Sequence, residues 1–393
     1  MQTTFNTKGI LNEELGRLTE RLQDQAARKE DFLVPSMDLL SLTTAYGSAD
    51  ADEPSSVLRV EGSGGIGTKH FAINEHALGQ IATEVDIPVR ALRTIRQNPA
   101  AQTHMDRVVT ELFQARSQKQ KMLRTFAGDS IALGSRSSGE LRAFVSSGFK
   151  TFDNVDLLAA VLPAMQDSSA DWKVVRGDIT ETKMYLQLKS NNLAGAGSAI
   201  DDIMALEIGL SNSEVGAGSI SLYQMLWTLI CLNGMQTGFK HAERHLQSAR
   251  DTDTWSMLRD ETKALDNRAT AAKMGDIVAQ LSKAQSFEQL MEKMRAAGQD
   301  TLGDGATTTA IGSIDRVIET VKLQKSDSEG VLAGLMNTLQ QDGFRGRPVS
   351  RVTIANAITA HAHHVDTDRR PEFETAAGRV LDLSATQWER LAA

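Results

Sequence analysis

The sequence from Met122 to Ser146, MLRTFAGDSIALGSRSSGELRAFVS, decides the fold class. It contains three short β-rich runs, which cover Met122 to Phe126, Ser130 to Ser135 and Leu141 to Ser146. Gly128-Asp129 and Ser137-Ser138-Gly139 separate these runs, and such residues favour tight turns. The stretch therefore predicts neighbouring strands, and because helical patterns lie on both sides of it, the chain is predicted to be an α+β protein.

Upstream of these strands, leucines recur at 4-3-4 spacing at Leu11, Leu15, Leu18 and Leu22. This spacing puts them on one face of an amphipathic helix, predicted over residues 12 to 30 and ended by Pro35. Ala45 to Ser56 is predicted to be a surface loop. The leucine stripe is interpreted as a face that packs or that docks on a partner.

Between this arm and Met122, two short strands and three helices are predicted. The strands cover Val57 to Glu61 and His70 to Ile73. Asn74 is a candidate N-cap for a helix through Glu84, and Pro88 and Pro99 are each well placed to open a further helix.

Downstream, a helix capped by Asp153 or Asn154 precedes two predicted hairpins, Trp172 to Arg176 with Lys183 to Lys189 and Ala205 to Leu210 with Ser219 to Leu222. From about Met225 the pattern is helical. We therefore expect a helical N-terminal arm and loop (1–56), an α+β core with a mixed or antiparallel central sheet (57–235), and a mainly helical C-terminal region (236–393).

The composition excludes several classes of protein. The chain has 393 residues, 41% of them hydrophobic, with one cysteine and 7 prolines, so it is not collagen-like, disulfide-stapled or wholly disordered. The N-terminal residues lack the pattern of a secretory signal, and the densest apolar stretch, Met225 to Leu232, is shorter than a membrane span needs. The expected location is the cytoplasm of a bacterial host, with no membrane partner.

Charge is unevenly distributed along the chain. The formal net charge is −8, yet residues 90 to 150 carry eleven basic residues against four acidic ones. Residues 190 to 239 contain no lysine or arginine. Such asymmetry predicts one basic face, which suits phosphate binding, although solvated helix and strand faces explain the same pattern.

Within this basic region, single-stranded nucleic acid would be bound by lysines and arginines on its phosphates and by an aromatic ring on its bases. The candidate phosphate contacts are Arg116, Lys119, Lys121, Arg124, Arg136, Arg142 and Lys150. Phe149 and Phe152 are the candidate stacking residues. Burial of these rings in the core is the alternative, because aromatic side chains dominate core packing.

Two sets of residues raise the question of a metal ion. His241 and His245 are four apart in a predicted helix and would share a face, although a surface histidine pair is the simpler interpretation. Asp201, Asp202 and Glu207 could hold a divalent ion on a β face or lie in a solvated loop. We predict no metal site and no cofactor from either set.

Several segments together resemble a family of phage- and plasmid-encoded proteins of unknown function, the phage/plasmid-like proteins. The matching residues include Asn154, Asn212, Ser213, Glu214, Gly216, Cys231, Asn233, Gly234 and Asn356. The resemblance covers roughly residues 70 to 365. It implies a mobile-element setting, in which replication, recombination or host takeover is expected, and it implies no particular reaction.

Three hypotheses follow. The leading one is a mobile-element protein that binds or anneals single-stranded DNA through residues 116 to 150 as a homo-oligomer, with no catalytic residue. The second is a metal-dependent hydrolase centred on Asn212 and Glu214, with Asn233 and the histidines nearby. The third is a protein-assembly module that uses the leucine stripe.

Overall fold

A computed structural model of the chain describes residues 12–45, 55–62, 67–95, 98–130, 137–197, 203–228, 233–245, 257–302, 306–341 and 343–392. Within these ranges the chain forms two β-sheets and a set of helices, which confirms the α+β class.

The first sheet has six strands in the described part of the chain. They are β1 (Lys29–Val34), β2 (Leu40–Ala45), β3 (Ser55–Val60), β4 (Lys69–Ile73), β5 (Lys121–Ser130) and β6 (Ser137–Ser146). Their order is β1-β5-β6-β4-β3-β2, and all neighbours are antiparallel except β4 and β6. The sheet is therefore mixed.

Three helices accompany this sheet, α2 (Glu75–Glu84), α3 (Val89–Ile95) and α4 (Pro99–Ala115). Asn74 caps α2 by accepting a hydrogen bond from Ala77 N, and Asn98 caps α4 in the same way, as the sequence predicts for the first of them. Their apolar faces pack with Leu58, Phe71 and Leu123 in one hydrophobic cluster. These elements form one layer of helices on one sheet.

The second sheet has five antiparallel strands among the described residues. They are β7 (Trp172–Ile179), β8 (Met184–Ala196), β9 (Ile203–Asn212), β10 (Ile220–Thr228) and β11 (Asn233–Glu243). Their order is β11-β10-β9-β8-β7, so each strand pairs with its neighbour in sequence. Both predicted hairpins are confirmed by this meander.

The remaining helices gather on the second sheet and on each other. They are α1 (Glu13–Arg28), α5 (Asn154–Gln166), α6 (Asp260–Leu281), α7 (Ala284–Gln299), α8 (Ala306–Thr320), α9 (Ser328–Gln340), α10 (Arg351–Ala362), α11 (Arg370–Leu381) and α12 (Ala385–Ala392). One hydrophobic cluster, from Leu15 to Leu391, joins them to the apolar face of the sheet. This cluster draws residues from all three of the regions expected from the sequence.

The N-terminal helix is confirmed, but its leucine stripe faces the chain's own core. Leu15, Leu18 and Leu22 are fully buried, and α1 packs on β7 and α5. Leu11 lies outside the described residues. The assembly hypothesis therefore needs another surface, because a stripe buried in its own core offers no apolar face to a partner.

The predicted helical region begins too early. Strand β10 runs to Thr228 and β11 covers Asn233–Glu243, so the described residues just after Met225 are strand and not helix. The described part of the apolar run, Met225 to Thr228, lies in β10, and a short apolar run does not distinguish strand from helix by its period. Strands β1 and β2 were also not predicted.

Among the described helices, none combines the length and the apolar character that crossing a membrane requires.

Candidate functional site

The second sheet has one apolar face and one polar face. Because side chains alternate along a strand, Tyr185 and Gln187 of β8 share the polar face with Glu207 and Ser211 of β9. In β10, Ser221 lies opposite Ser211 and Tyr223 lies opposite Gly209. The intervening residues face the main hydrophobic cluster. Polar side chains from consecutive strands are thereby collected on one surface.

Helix α11 covers part of this polar face and is held there by hydrogen bonds. Gln187 Nε2 donates to Glu374 Oε1 at 2.9 Å, and Thr375 Oγ1 donates to Gln236 Oε1 at 2.8 Å. A side chain at Gly378 would overlap the carbonyl oxygen of Gln236, so only glycine permits this close approach of helix and strand. The helix therefore forms a wall beside the open part of the face.

A cleft of about 400 Å³ lies between this wall and the sheet, and we call it the second-sheet cleft. The sheet contributes Lys183, Tyr185, Ser219, Ser221, Tyr223 and Lys240 to its lining. The helical region contributes Lys322, Asp368, Thr375 and Arg379. A volume in this range is typical of small-molecule sites.

The cleft has an excess of uncompensated positive charge. Within the described residues, Lys183, Lys240 and Lys322 have no ion-pair partner. The acidic residues of the lining are already engaged, because Asp368 accepts hydrogen bonds from Thr180 and Thr182 and Glu372 lies 3.4 Å from Arg369. This arrangement attracts an anion.

Hydroxyl groups line the floor of the cleft. Ser219 Oγ and Ser221 Oγ are 3.0 Å apart, and the ring of Tyr223 lies across Gly209, where a Cβ atom would overlap it. The buried Tyr223 hydroxyl finds no hydrogen-bond partner in the part of the chain that the structure describes. Burial and the nearby Glu374 carboxylate raise the pKa of Tyr223, so the phenol stays protonated and can donate a hydrogen bond.

Behind the floor lies a pair of buried carboxyl groups, Glu207 and Glu374. Burial, and then the neighbouring Glu374, raise the pKa of Glu207 to about 8. Arg370 Nε lies 3.4 Å from Glu374 Oε1, and Arg176 Nη1 lies 3.8 Å from the same oxygen. Glu207 is therefore a neutral acid at pH 7, whereas Glu374 has two guanidinium neighbours.

The described part of the basic segment, residues 116 to 150, does not line the second-sheet cleft. Its central cation is the buried Arg124, which we call the hub of the basic segment. The Arg124 side chain is 0% exposed. It donates to Asp31 Oδ2 at 2.9 Å, to Asp153 Oδ1 at 2.7 Å and to the carbonyl oxygen of Glu214 at 2.6 Å. Strand β5, strand β1 and the segments before α5 and after β9 therefore meet at one guanidinium group.

Three neighbouring cations are held in the same manner. Arg142 Nη2 donates to Glu214 Oε2 at 2.8 Å, and Lys150 Nζ donates to Thr270 Oγ1 at 2.8 Å and pairs with Asp266. Lys29 pairs with Asp153. Burial, and then the charge of Arg124, lower the pKa of Lys29 to about 8.

The other candidate phosphate contacts form ion pairs nearer the surface. Arg116 lies 2.9 Å from Asp86, and Lys119 and Lys121 both pair with Glu84. Arg136 lies outside the described residues. The phosphate-contacting surface expected from the sequence therefore needs correction at Lys121, Arg124, Arg142 and Lys150, which are buried. Phosphate contacts by the ion-paired Arg116 and Lys119 stay a prediction.

The two candidate stacking residues also need correction. Phe149 and Phe152 are both 0% exposed, and the Phe149 ring stacks on the His245 ring with centroids 5.3 Å apart. A fully buried ring has no free face for a base. Both rings are buried in the core, which is the alternative to base stacking.

Asn212, Ser213 and Glu214, which belong to the family resemblance, are hydrogen-bonded to other segments of the chain. Glu214 Oε1 accepts from Asn154 N at 2.8 Å, while Asn212 Nδ2 donates to Asn154 Oδ1 and to the carbonyl oxygen of Phe152, both at 3.0 Å. Ser213 Oγ donates to the Thr182 carbonyl oxygen at 2.8 Å. These contacts favour a structural role for Asn212, Ser213 and Glu214 over the hydrolase hypothesis, because both Glu214 carboxylate oxygens already accept hydrogen bonds.

The histidine pair is not on one helix. His241 lies in strand β11, and His245 is buried with Nδ1 2.9 Å from the Lys150 carbonyl oxygen and Nε2 2.8 Å from Asn212 Oδ1. The surface-pair interpretation is therefore wrong for His245. In the described part of the chain, no group of three potential metal ligands occurs.

Two of the other motif residues are glycines that the backbone geometry requires. Gly216 has a φ of +82°, which favours glycine, and a side chain at Gly234 would overlap the Glu207 carboxyl group. Asn356 is fully buried on α10. Asn233 begins β11, while Cys231, Asp201 and Asp202 lie outside the described residues.

Comparison of the chain with protein-family models, with curated proteins and with solved structures finds no match.

Sequence reasoning missed the second-sheet cleft because its residues come from four strands and from two regions of the helical part of the chain. A weak signal does exist, since polar residues alternate at Tyr185, Gln187 and Lys189 and again at Ser219, Ser221 and Tyr223. Period-2 alternation predicts a two-faced strand, but it does not say which strands lie side by side or what covers them.

Proposed function

We propose that the protein binds a phosphate-bearing ligand in the second-sheet cleft. The observation that carries this proposal is the set of three lysines, Lys183, Lys240 and Lys322, that surround the cleft without an ion-pair partner among the described residues. An unpaired ammonium group near a row of hydroxyl donors is suited to a phosphate, which accepts charge-assisted hydrogen bonds.

The hydroxyl groups supply the second part of the argument. Ser219 and Ser221 present neutral donors on the floor, and the lysines supply charge at its edges. The two acids in the lining, Asp368 and Glu372, offset only part of this charge, because the lining also contains Arg379 beside the three lysines. The cleft therefore offers both charge and directed donors to an anion.

Single-stranded nucleic acid, the ligand expected from the sequence, is one source of such phosphates, and a free mononucleotide is another. Binding of single-stranded DNA stays a prediction, now with the cleft in place of residues 116 to 150 as its phosphate-contacting surface. The mobile-element setting and a role in recombination also stay predictions.

The test compares two double variants that each remove two positive charges. One, Lys183→Met with Lys240→Met, changes the cleft, and the matched control, Arg116→Met with Lys119→Met, changes the basic segment. Fluorescence anisotropy with a labelled 15-nucleotide oligothymidylate and calorimetry with thymidine 5′-monophosphate separate the two sources. Both are measured at about 50 and about 200 mM salt, because phosphate binding weakens as salt rises.

We expect the cleft variant to lose at least about tenfold in affinity for the ligand that binds and the control to stay within about twofold of the wild type. Arg116 and Lys119 are engaged in ion pairs, whereas Lys183 and Lys240 have no ion-pair partner among the described residues. Absence of binding by both ligands at the lower salt would contradict the proposal. Equal losses in both variants would also contradict it, because binding would then depend on overall charge.

A further inference from the structure

The turn that follows helix α8 carries one of the cleft lysines, Lys322, in an unusual backbone conformation. Its φ is +62°, in the left-handed region that side chains other than those of Asn and Asp rarely adopt. We propose that Lys322 contacts the bound phosphate from the helical side of the second-sheet cleft, and that the chain keeps a lysine at this position although glycine would make the fold more stable. This inference rests on the proposed function.

The hydrogen bonds of this turn form a Schellman motif, a common C-terminal cap of helices. Lys322 N donates to the Glu319 carbonyl oxygen at 3.1 Å, and Leu323 N donates to the Ile318 carbonyl oxygen at 3.0 Å. Lys322 thereby occupies the position that is usually glycine, because glycine has no Cβ atom to clash in the left-handed region. A lysine there makes the folded state less stable than a glycine would.

The Lys322 side chain gives the described fold nothing in return. It is exposed and lines the cleft, and its ammonium group has no ion-pair or hydrogen-bond partner among the described residues. The turn itself is tied to helix α11, because Arg379 Nη1 donates to the Val321 carbonyl oxygen at 2.6 Å. A fixed, strained position whose side chain does not support the fold is typical of a residue kept for function.

The charges of the whole lining favour an anion beside Lys322. The lining has two more basic than acidic residues, namely Lys183, Lys240, Lys322 and Arg379 against Asp368 and Glu372. An excess of positive charge therefore remains when both acids are ionised. Because Lys183 and Lys240 belong to the sheet and Lys322 to the helical region, a phosphate in the cleft would meet positive charge from both sides.

The chain contains the same motif a second time, at the end of helix α2. Asp86 has a φ of +58°, its N donates to the Thr83 carbonyl oxygen at 3.4 Å, and Ile87 N donates to the Ala82 carbonyl oxygen at 3.0 Å. Asp86 and Lys322 are the two non-glycine residues with a positive φ in the described part of the chain. Asp86 does not line the cleft, so it is a matched control for Lys322.

The experiment compares Lys322→Gly, Lys322→Arg and Asp86→Gly with the wild type. Calorimetry with thymidine 5′-monophosphate and fluorescence anisotropy with the labelled oligothymidylate 15-mer measure affinity at about 50 mM salt. We expect Lys322→Gly to bind at least about fivefold more weakly, because one charge-assisted contact is lost. Lys322→Arg and Asp86→Gly should stay within about twofold of the wild type, since both keep a positive charge at position 322.

Thermal unfolding without ligand measures the effect of the same variants on stability. Lys322→Gly should raise the midpoint by about 1 to 3 °C, because glycine removes the penalty of the left-handed conformation. Asp86→Gly should raise it by less, because aspartate tolerates this conformation better and its ion pair with Arg116 is lost. Lys322→Arg keeps a Cβ atom in the turn and should leave the midpoint unchanged.

Three results would overturn this inference and leave the proposed function intact, because that function is tested separately with Lys183 and Lys240. They are an unchanged affinity in Lys322→Gly, an equal loss of affinity in Lys322→Arg or Asp86→Gly, and a midpoint of Lys322→Gly at or below that of the wild type. Absence of binding of both ligands by the wild type would instead contradict the proposed function itself.

Discussion

The basic segment from Arg116 to Lys150 and the second-sheet cleft both concentrate positive charge, but they use it in opposite ways. In the basic segment each described candidate cation has an acidic partner, and Arg124 has two. In the cleft, Lys183, Lys240 and Lys322 have none among the described residues. The local density of basic residues in a sequence therefore says little about which of them are available to a ligand.

The physical reason lies in the cost of burying charge. A buried ion is tolerated when partners replace the water that it loses, so a cation in the interior recruits carboxylates from distant segments. Asp31, Asp153 and Glu214 do this for the basic segment. The cleft lysines remain in contact with solvent and need no such partner, which leaves their charge free.

The largest expected effect is on stability, at the hub of the basic segment. Arg124→Met removes the partner of Asp31 and Asp153 while keeping much of the side-chain volume. Because Asp31 and Asp153 then keep only Lys29 as a cationic neighbour, and the Glu214 carbonyl oxygen loses its buried donor, the free energy of unfolding should fall by about 3 to 5 kcal/mol. Urea denaturation measures it.

The matched control for this substitution is Arg116→Met. Arg116 pairs with Asp86, whose side chain is 84% exposed, so the change should be no more than about 1 kcal/mol. If Arg124→Met lowers the free energy of unfolding as little as Arg116→Met does, the buried ion-pair network does not stabilise the contacts between these segments.

The next effect concerns the buried acid behind the cleft. Glu207 has a pKa of about 8 in the fold and the ordinary value of 4.5 when unfolded. Between these two values the folded state holds a proton that the unfolded state has released, so stability falls as the pH rises from about 5 to about 8. In Glu207→Gln the side chain stays neutral, so this fall in stability with rising pH should be absent.

The measurement is the free energy of unfolding of both proteins at several pH values across that range. Relative to Glu207→Gln, the wild type should lose a few kcal/mol between pH 5 and pH 8, at up to about 1.4 kcal/mol per pH unit. A constant difference between the two proteins over this range would mean that Glu207 is ionised in the fold.

A smaller effect is expected where the floor of the cleft is packed. Gly209→Ala places a Cβ atom within 2.0 Å of the Tyr223 ring, so the ring must move and stability should fall by about 1 to 3 kcal/mol. Gly79→Ala in α2 is the control, because that position has no neighbour within 4 Å.

The control substitution should stabilise the protein by up to about 1 kcal/mol, since alanine is the better helix former. Thermal unfolding of both variants provides the measurement. If Gly209→Ala proves as well tolerated as Gly79→Ala, the Tyr223 ring does not lie where the structure places it.

The smallest effect on stability is expected for the cleft lysines. Lys183→Met with Lys240→Met should change the free energy of unfolding by no more than about 0.5 kcal/mol, because neither lysine has a described ion-pair partner. Urea denaturation at low and high salt tests this. A destabilisation above about 2 kcal/mol would place these lysines with the structural cations and remove the contrast between the two regions.

Local patterns predicted much of the secondary structure. The caps at Asn74 and Asp153, the leucine spacing of α1 and the hairpins of the second sheet are all encoded within a few residues of one another. They could be predicted because helix and strand periods and caps depend on near neighbours in the chain. The predicted helical region began too early because the short apolar run at the end of β10 has no period that distinguishes strand from helix.

The candidate site could not be predicted in the same way. The cleft joins Lys183 and Tyr223 to Lys322 and Asp368, which are separated by about a hundred residues or more along the chain. The partners of the basic segment are equally remote, since Asp31 and Glu214 come from opposite sides of it. The residues of each set are too far apart in the sequence to be recognised as a motif.

The sequence by itself determined that the protein is α+β, where most helices and strands begin, and that basic residues cluster between Arg90 and Lys150. The tertiary structure alone decided which charges are neutralised and which remain free. Secondary structure follows from contacts a few residues apart, whereas the solvation of a charge depends on every segment that folds against it.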